Sequence, residues 1–269
     1  MTVRPRRIDL RKTLFLLPNM ITMSSIFCGF DSIRIAARAE QDDDFYAAAI
    51  LLIFAMFFDT LDGRVARMTR TQSAFGLQID SLADVVSFGV APALLVYQWS
   101  LHSLGIPGLL GGFVFMACGA VRLARFNVLS MGDQGKPARP GKYIVGLPTP
   151  GAAGILIGIV MANHATAGDL RAPRFAWTIL AVTLALSFFM VSNLRFRSFK
   201  DIRLNGRTAA MVAFTIGSSV LISAKFRPAF VLVWLLGVYV LLGVFESVLQ
   251  LLRRRPPAAS SPRNSVPPL

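Results

Sequence analysis

The sequence predicts an all-α protein, a polytopic bundle of transmembrane helices. Three observations predict it. Apolar residues make up 54% of the 269 positions, and mean hydropathy is +0.59. Charged residues make up only 16%, where a soluble domain carries about a quarter. The apolar residues also gather into eight stretches, roughly 14–38, 45–67, 77–100, 105–128, 144–163, 174–193, 208–225 and 228–252. Each is close to the ~17–25 residues that cross a bilayer as a helix.

Residues 1–13 form a basic lead, read as a short interfacial helix. The stretch 14–38 is long, holds Pro18 and Asn19, and lacks a small-residue cleavage site, so it reads as a first span and not a removable leader. A polar hairpin joins the second and third stretches. After the fourth comes a Gly/Pro-rich connection, LSMGDQGKPARPGKY (129–143). The fifth opens on GLPTPG (146–151), which cannot be regular helix throughout. A basic loop, RFRSFKDIRLNGR (195–207), follows the sixth. The last two stretches carry no motif, and Glu246 is their only acid. The tail 253–269 is rich in Pro, Ser and Arg, has little to bury, and is expected to be disordered. With no internal repeat, the expected organisation is a basic segment 1–13, one membrane domain 14–252, and the tail 253–269.

The net charge of +14 is distributed unevenly. Threading eight spans from an inside N-terminus leaves all but six of the 28 basic residues on the inner side; the six are Arg34, Arg38, Arg171, Arg174, Lys225 and Arg227. The acidic run Glu40, Asp42, Asp43 and Asp44 falls outside. This is the positive-inside pattern, with both termini cytoplasmic. Charge split among loops does not make a nucleic-acid-binding face, and anionic lipid headgroups explain it more simply. Cys28 and Cys118 lie in apolar stretches and read as small hydrophobes. His102 and His164 have no matching ligand cluster around them.

Four aspartates interrupt the apolar pattern in DTLDGRVARMTRTQSAFGLQIDSLAD (59–84). Asp59 and Asp62 are spaced i, i+3; Asp80 and Asp84 are spaced i, i+4. On helices each pair shares a face. One pair ends the second span and the other begins the third, so the hairpin sets both at one depth, facing each other. A lone aspartate at a span end reaches water or pairs with an arginine, but four at facing spacing would repel one another without a cation between them. One or two hard divalent cations on oxygen ligands meet that need. Gly63 and Gly76 allow close approach of a backbone or ligand. Arg64, Arg67 and Arg70 add positive charge, and carboxylates, metal and arginines together suit a phosphate-bearing substrate.

The pattern Asp59-x2-Asp62-Gly63-x2-Ala66-Arg67-x8-Gly76-x3-Asp80-x3-Asp84 resembles the signature of the CDP-alcohol phosphotransferase family, with all eight fixed positions filled. The resemblance implies an integral membrane enzyme, a homodimer with a six-helix core, that displaces CMP from a CDP-linked donor using Mg²⁺ or Mn²⁺. It implies Asp59, Asp62 and Asp80 as metal ligands. Asp84 would be the general base toward the attacking hydroxyl and would also touch metal. The CDP moiety would lie against Asp59, Gly63, Ala66, Arg67 and Gly76. LPNMIT (17–22) is similar to the family's first span and places Asn19 and Thr22 near the nucleotide.

IFCGF (26–30), RLARFNV (122–128), GLPTPGAA (146–153) and SNLRFRSFK (192–200) are similar to segments of the family's membrane-integral phosphatidylserine synthases. The implied substrates are CDP-diacylglycerol and L-serine, at the cytoplasmic face of a bacterial inner membrane. The serine carboxylate needs a cation, for which Arg122, Arg125, Arg139 and Lys142 are candidates. The i, i+3 spacing of RLAR favours Arg122 and Arg125. The same chemistry with glycerol 3-phosphate, inositol phosphate or choline as acceptor is the nearest alternative. A divalent-cation transporter is a more distant one, because such sites lie nearer the bilayer midplane and an arginine would repel the ion.

Overall fold

Two long helices set the frame. α1 (Leu10–Arg38) and α2 (Asp42–Thr69) have 29 and 28 residues. At 1.5 Å per residue each runs about 42 Å, longer than the ~30 Å hydrocarbon layer. Asp42, Asp43 and Asp44 occupy the first turn of α2, where negative charge complements the helix N-terminus. Asp59 and Asp62 therefore sit about 25–30 Å farther along, near the other end. The computed structural model describes residues 10–69, 71, 73–130, 143–197 and 237–238.

Small residues let α1 and α2 approach closely. Ala48, Ala49, Leu52 and Ala55 of α2 are fully buried. Two serines on α1 donate across the gap, Ser32 to the Ala48 carbonyl at 2.9 Å and Ser25 to the Ala55 carbonyl at 3.1 Å. Lipid offers no hydrophobic drive between helices, so close packing and such hydrogen bonds hold the pair.

The third rod has three parts: α3 (Ala74–Asp84), a π-helical segment (Val85–Val90) and α4 (Ala91–Trp99). Pro92 supplies a physical reason for the π segment. A proline ring clashes with the carbonyl four residues earlier, and the wider π register gives it room. Ser87, inside the π segment, donates to the Ser25 carbonyl at 3.1 Å. The crossing is tight: a Cβ on Gly29 would lie 3.0 Å from Ser87 Cα.

The remaining helices are α5 (Ile106–Ser130), α6 (Thr149–Ala165) and α7 (Ala176–Val191). The core lies where they meet α4, around Phe88, Leu95, Trp99, Phe115, Leu156 and Met190. A small antiparallel ribbon of β1 (Tyr143–Val145) and β2 (Arg195–Arg197), paired Ile144 to Phe196, ties the entry of α6 to the exit of α7. At the opposite end of the bundle, Arg171 bonds Asp42 at 2.9 Å and lies over the Phe45 ring, while His164 stacks on Tyr46 and meets Asp43 at 2.8 Å. The acidic run is thus joined to the α6–α7 connection.

The all-α, polytopic expectation holds. Among the described residues, five helices are long and apolar enough to cross a membrane: Leu16–Arg38, Asp42–Thr69, Ala74–Trp99, Ile106–Val128 and Pro173–Val191. α6 is a shorter apolar helix of 17 residues. The stretch expected as a span from 144 becomes helical only at Thr149, because Gly146 takes φ +79 and Pro148 stands at the N-cap. Residues 10–13 of the basic lead already belong to α1. The stretches 208–225 and 228–252 and the tail 253–269 lie outside the described residues, apart from the helical pair Gly237 and Val238.

The α1–π crossing yields a stability prediction. Gly29→Val should force α1 off Ser87 and destabilise the protein by about 1–3 kcal/mol, read as a lower thermal midpoint in detergent. Gly112→Ala, whose Cβ would come no nearer than 3.5 Å to a neighbour, should leave the midpoint nearly unchanged.

Candidate active site

The i, i+3 and i, i+4 pairs face each other as their spacing predicts. One carboxylate oxygen from each of Asp59, Asp62 and Asp80 lies within 4.8 Å of the other two. The carboxyl of Asp84, one turn beyond Asp80 on α3, meets that of Asp59 at hydrogen-bonding range. Two helix ends and a short connection thus gather four acids.

The α1 helix supports this cluster from one side. Asp62 is 5% exposed. Thr22 donates to its Oδ2 at 2.6 Å, and the Pro18 carbonyl is a second acceptor within 3.1 Å of the same hydroxyl. Pro18 cannot donate a backbone N–H, and the Thr22 hydroxyl reaches back one turn to the Pro18 carbonyl. The positive charge of Arg67, one turn along α2, acts on Asp62. Its guanidinium folds over Gly63, where a Cβ would sit 3.4 Å from Nη1.

The start of α3 forms the next wall. Ser73 caps it, its Oγ accepting the Gly76 N–H at 2.9 Å. A Cβ on Gly76 would lie 3.2 Å from that oxygen and 3.6 Å from Asn19 Oδ1. Asn19 is thus near Gly76, Thr22 near Asp62, and Arg67 near Gly63, all at this end of the bundle. Ala66 lies on the same end of α2, its carbonyl accepting the Thr71 N–H at 3.0 Å.

On the far side stand residues from α5 and α6. Arg122 is 7% exposed, donates to Thr149 Oγ1 at 3.1 Å, and its charge acts on Asp84. Arg125, one turn later, is placed differently. It donates to the Val191 carbonyl at 2.9 Å and reaches the carbonyls of Val145, Met190 and Ser192 and the side chain of Asn193 at 3.3–3.4 Å. The two arginines singled out together by their spacing thus have different partners.

Sequence reasoning missed Thr149 and Asn127. Asn127 donates to Ser81 Oγ at 2.8 Å and so ties α5 to the helix carrying Asp80 and Asp84. Both lie inside stretches singled out for other reasons, and no local spacing links them to the aspartates.

Asp84 Oδ1 is buried and has no hydrogen-bond partner in the described protein. A buried orphan carboxylate oxygen beside three converging carboxylates fits a cation ligand. The donor set is all oxygen, which suits Mg²⁺ or Mn²⁺ over softer metals.

Residues 15–189 match the family model described as CDP-alcohol phosphatidyltransferase. The chain belongs to that family. It is 35% identical to a CDP-diacylglycerol–serine O-phosphatidyltransferase of Helicobacter pylori over 87% of this chain and 91% of that protein. A Bacillus subtilis protein of the same name is 31% identical over 68% of this chain and 91% of its own. An archaetidylserine synthase of Methanothermobacter thermautotrophicus is 36% identical over 70% and 72%.

The Thr22–Asp62 bond can be tested directly. Thr22→Val keeps the shape and removes the donor. It should weaken Mn²⁺ binding roughly tenfold or more, measured by electron paramagnetic resonance titration of the purified protein.

Proposed function

We propose that this chain transfers the phosphatidyl group of CDP-diacylglycerol to L-serine, releasing CMP and forming phosphatidylserine. The convergence of Asp59, Asp62 and Asp80, with the buried Asp84 carboxyl one turn further on, carries the reading. Asp84 is a buried carboxyl able to take a proton, and the charge of buried Arg122, a guanidinium able to hold an acceptor's carboxylate, acts on it. Family membership supports the nucleotide-linked donor. The names of the bacterial and archaeal relatives, each specifying serine, support the acceptor.

The serine hydroxyl attacks the phosphorus that bears diacylglycerol. A new P–O bond forms, the bond from that phosphorus to the CMP phosphate breaks, and CMP leaves with the electron pair. Asp84 accepts the hydroxyl proton; a serine hydroxyl is a poor nucleophile at neutral pH without a base in reach. Arg122, held by Thr149, pairs with the serine carboxylate and orients the hydroxyl. Asn19, Gly63, Ala66, Arg67 and Gly76 bound the cytidine diphosphate, with Arg67 pairing to phosphate oxygens. A divalent cation on Asp59, Asp62, Asp80 and Asp84 would neutralise the pyrophosphate and stabilise charge on the leaving oxygen. The positive-inside pattern supports a site on the cytoplasmic side of the membrane; a bacterial inner membrane and a homodimer complete the same reading.

CMP release from CDP-diacylglycerol with a panel of acceptors tests the assignment. Serine should support release, and glycerol 3-phosphate, inositol phosphate and choline should not. Release with glycerol 3-phosphate alone would overturn it. Asp84→Asn should lower turnover by about 10²–10⁴-fold while Mn²⁺ binding is weakened but not lost, and chelation of divalent metal should abolish release from the wild type.

A further inference from the structure

Arg125 and Gly146 form a lock that the chemistry above does not use. Arg125 Nη1 bonds the Val191 carbonyl, and Nη2 reaches the carbonyls of Met190, Ser192 and Val145. Three of these acceptors belong to the last turn and exit of α7. Helix C-terminal carbonyls lack intrahelical donors, and a guanidinium there satisfies them and complements the helix dipole. The fourth acceptor, Val145, precedes Gly146.

Gly146 is required where it stands. Its φ is +79, and a Cβ would lie 2.3 Å from the Met190 carbonyl oxygen and 2.8 Å from Arg125 Nη2. Its N–H donates to Leu194 O at 2.8 Å, and the Leu147 N–H donates to Phe189 O at 2.9 Å. The entry to α6 is thereby fastened to the exit of α7, with the Arg125 guanidinium wedged against both. Three residues after Gly146 comes Thr149, the partner of Arg122. Arg122 lies one turn before Arg125 on α5. The two arginines therefore grip one connection from two points, and the outer grip fixes where Thr149 holds the inner one.

We propose that Arg125, acting with Gly146, is a positioning residue for the acceptor: it holds the α6 entry against the α7 exit so that Thr149 sets Arg122 beside Asp84. This rests on the reading of Arg122 as the carboxylate partner. It separates the two arginines by role, with Arg122 meeting the acceptor and Arg125 shaping the wall.

The experiment uses full-length protein in nanodiscs with Mn²⁺, varying serine and CDP-diacylglycerol separately, for wild type, Arg125→Lys and Gly146→Ala. A lysine ammonium cannot span four divergent carbonyls, and an alanine Cβ cannot fit at Gly146. Both variants should raise the serine KM roughly ten- to a hundredfold, while the CDP-diacylglycerol KM stays within about twofold of wild type. Equal rises in both KM values, unchanged KM values with only a lower thermal midpoint, or loss of folding in both variants would overturn the proposal and leave the lock purely structural. If wild-type protein releases CMP with another acceptor and not serine, the acceptor assignment fails; the same KM split measured for that acceptor then decides the positioning role separately.

Discussion

Asp59, Asp62, Asp80 and Asp84 bring four carboxyl groups within contact range at one end of an apolar bundle. In water such charges would be screened, but between packed helices the repulsion grows as the local dielectric falls. The nearby protein charges are Arg67 against Asp62 and Arg122 against Asp84. Among the described residues these two guanidiniums stand against four carboxylates, and a divalent cation is one way to offset the excess negative charge. A cation held there would also attract an anionic phosphate group.

The rest of the fold serves to hold the two helix ends against this repulsion. Alanines and serines bring α1 tightly against α2, and Thr22 thereby reaches Asp62. The π segment begins right after Asp84 and is pinned to α1 through Ser87 and Gly29. An extra residue in one turn changes the phase of everything downstream. Asp80 and Asp84 can thus face α2 while Phe88 and Leu95 still face the core. On the side of α5 and α6 the packing is polar: Asn127 to Ser81, Arg122 to Thr149, and Arg125 to the carbonyls ending α7.

The convergence of the aspartates was legible in the sequence because it is local. Both pairs have helical spacing, and a few residues join their helices. The bundle was legible from segment length and hydropathy for the same reason. What spacing could not show depends on contacts between distant segments. Arg122 and Arg125 look equivalent along α5, and only the positions of Thr149 and the α7 exit, 27 and 66 residues away, tell them apart. The π register follows from Pro92 together with a close crossing, and a proline in an apolar run does not announce which relief it will take. The late start of α6 turns on one positive-φ glycine.

Because the four carboxyl groups converge on one point, the most direct measurement is an anomalous difference map from crystals of the purified protein soaked in Mn²⁺. The expected map has its strongest protein-bound peak among Asp59, Asp62 and Asp80, within reach of Asp84, and loses it in Asp80→Asn. A map with no peak there, or with its only peak at the acidic run Asp42–Asp44, would contradict a cation-centred site.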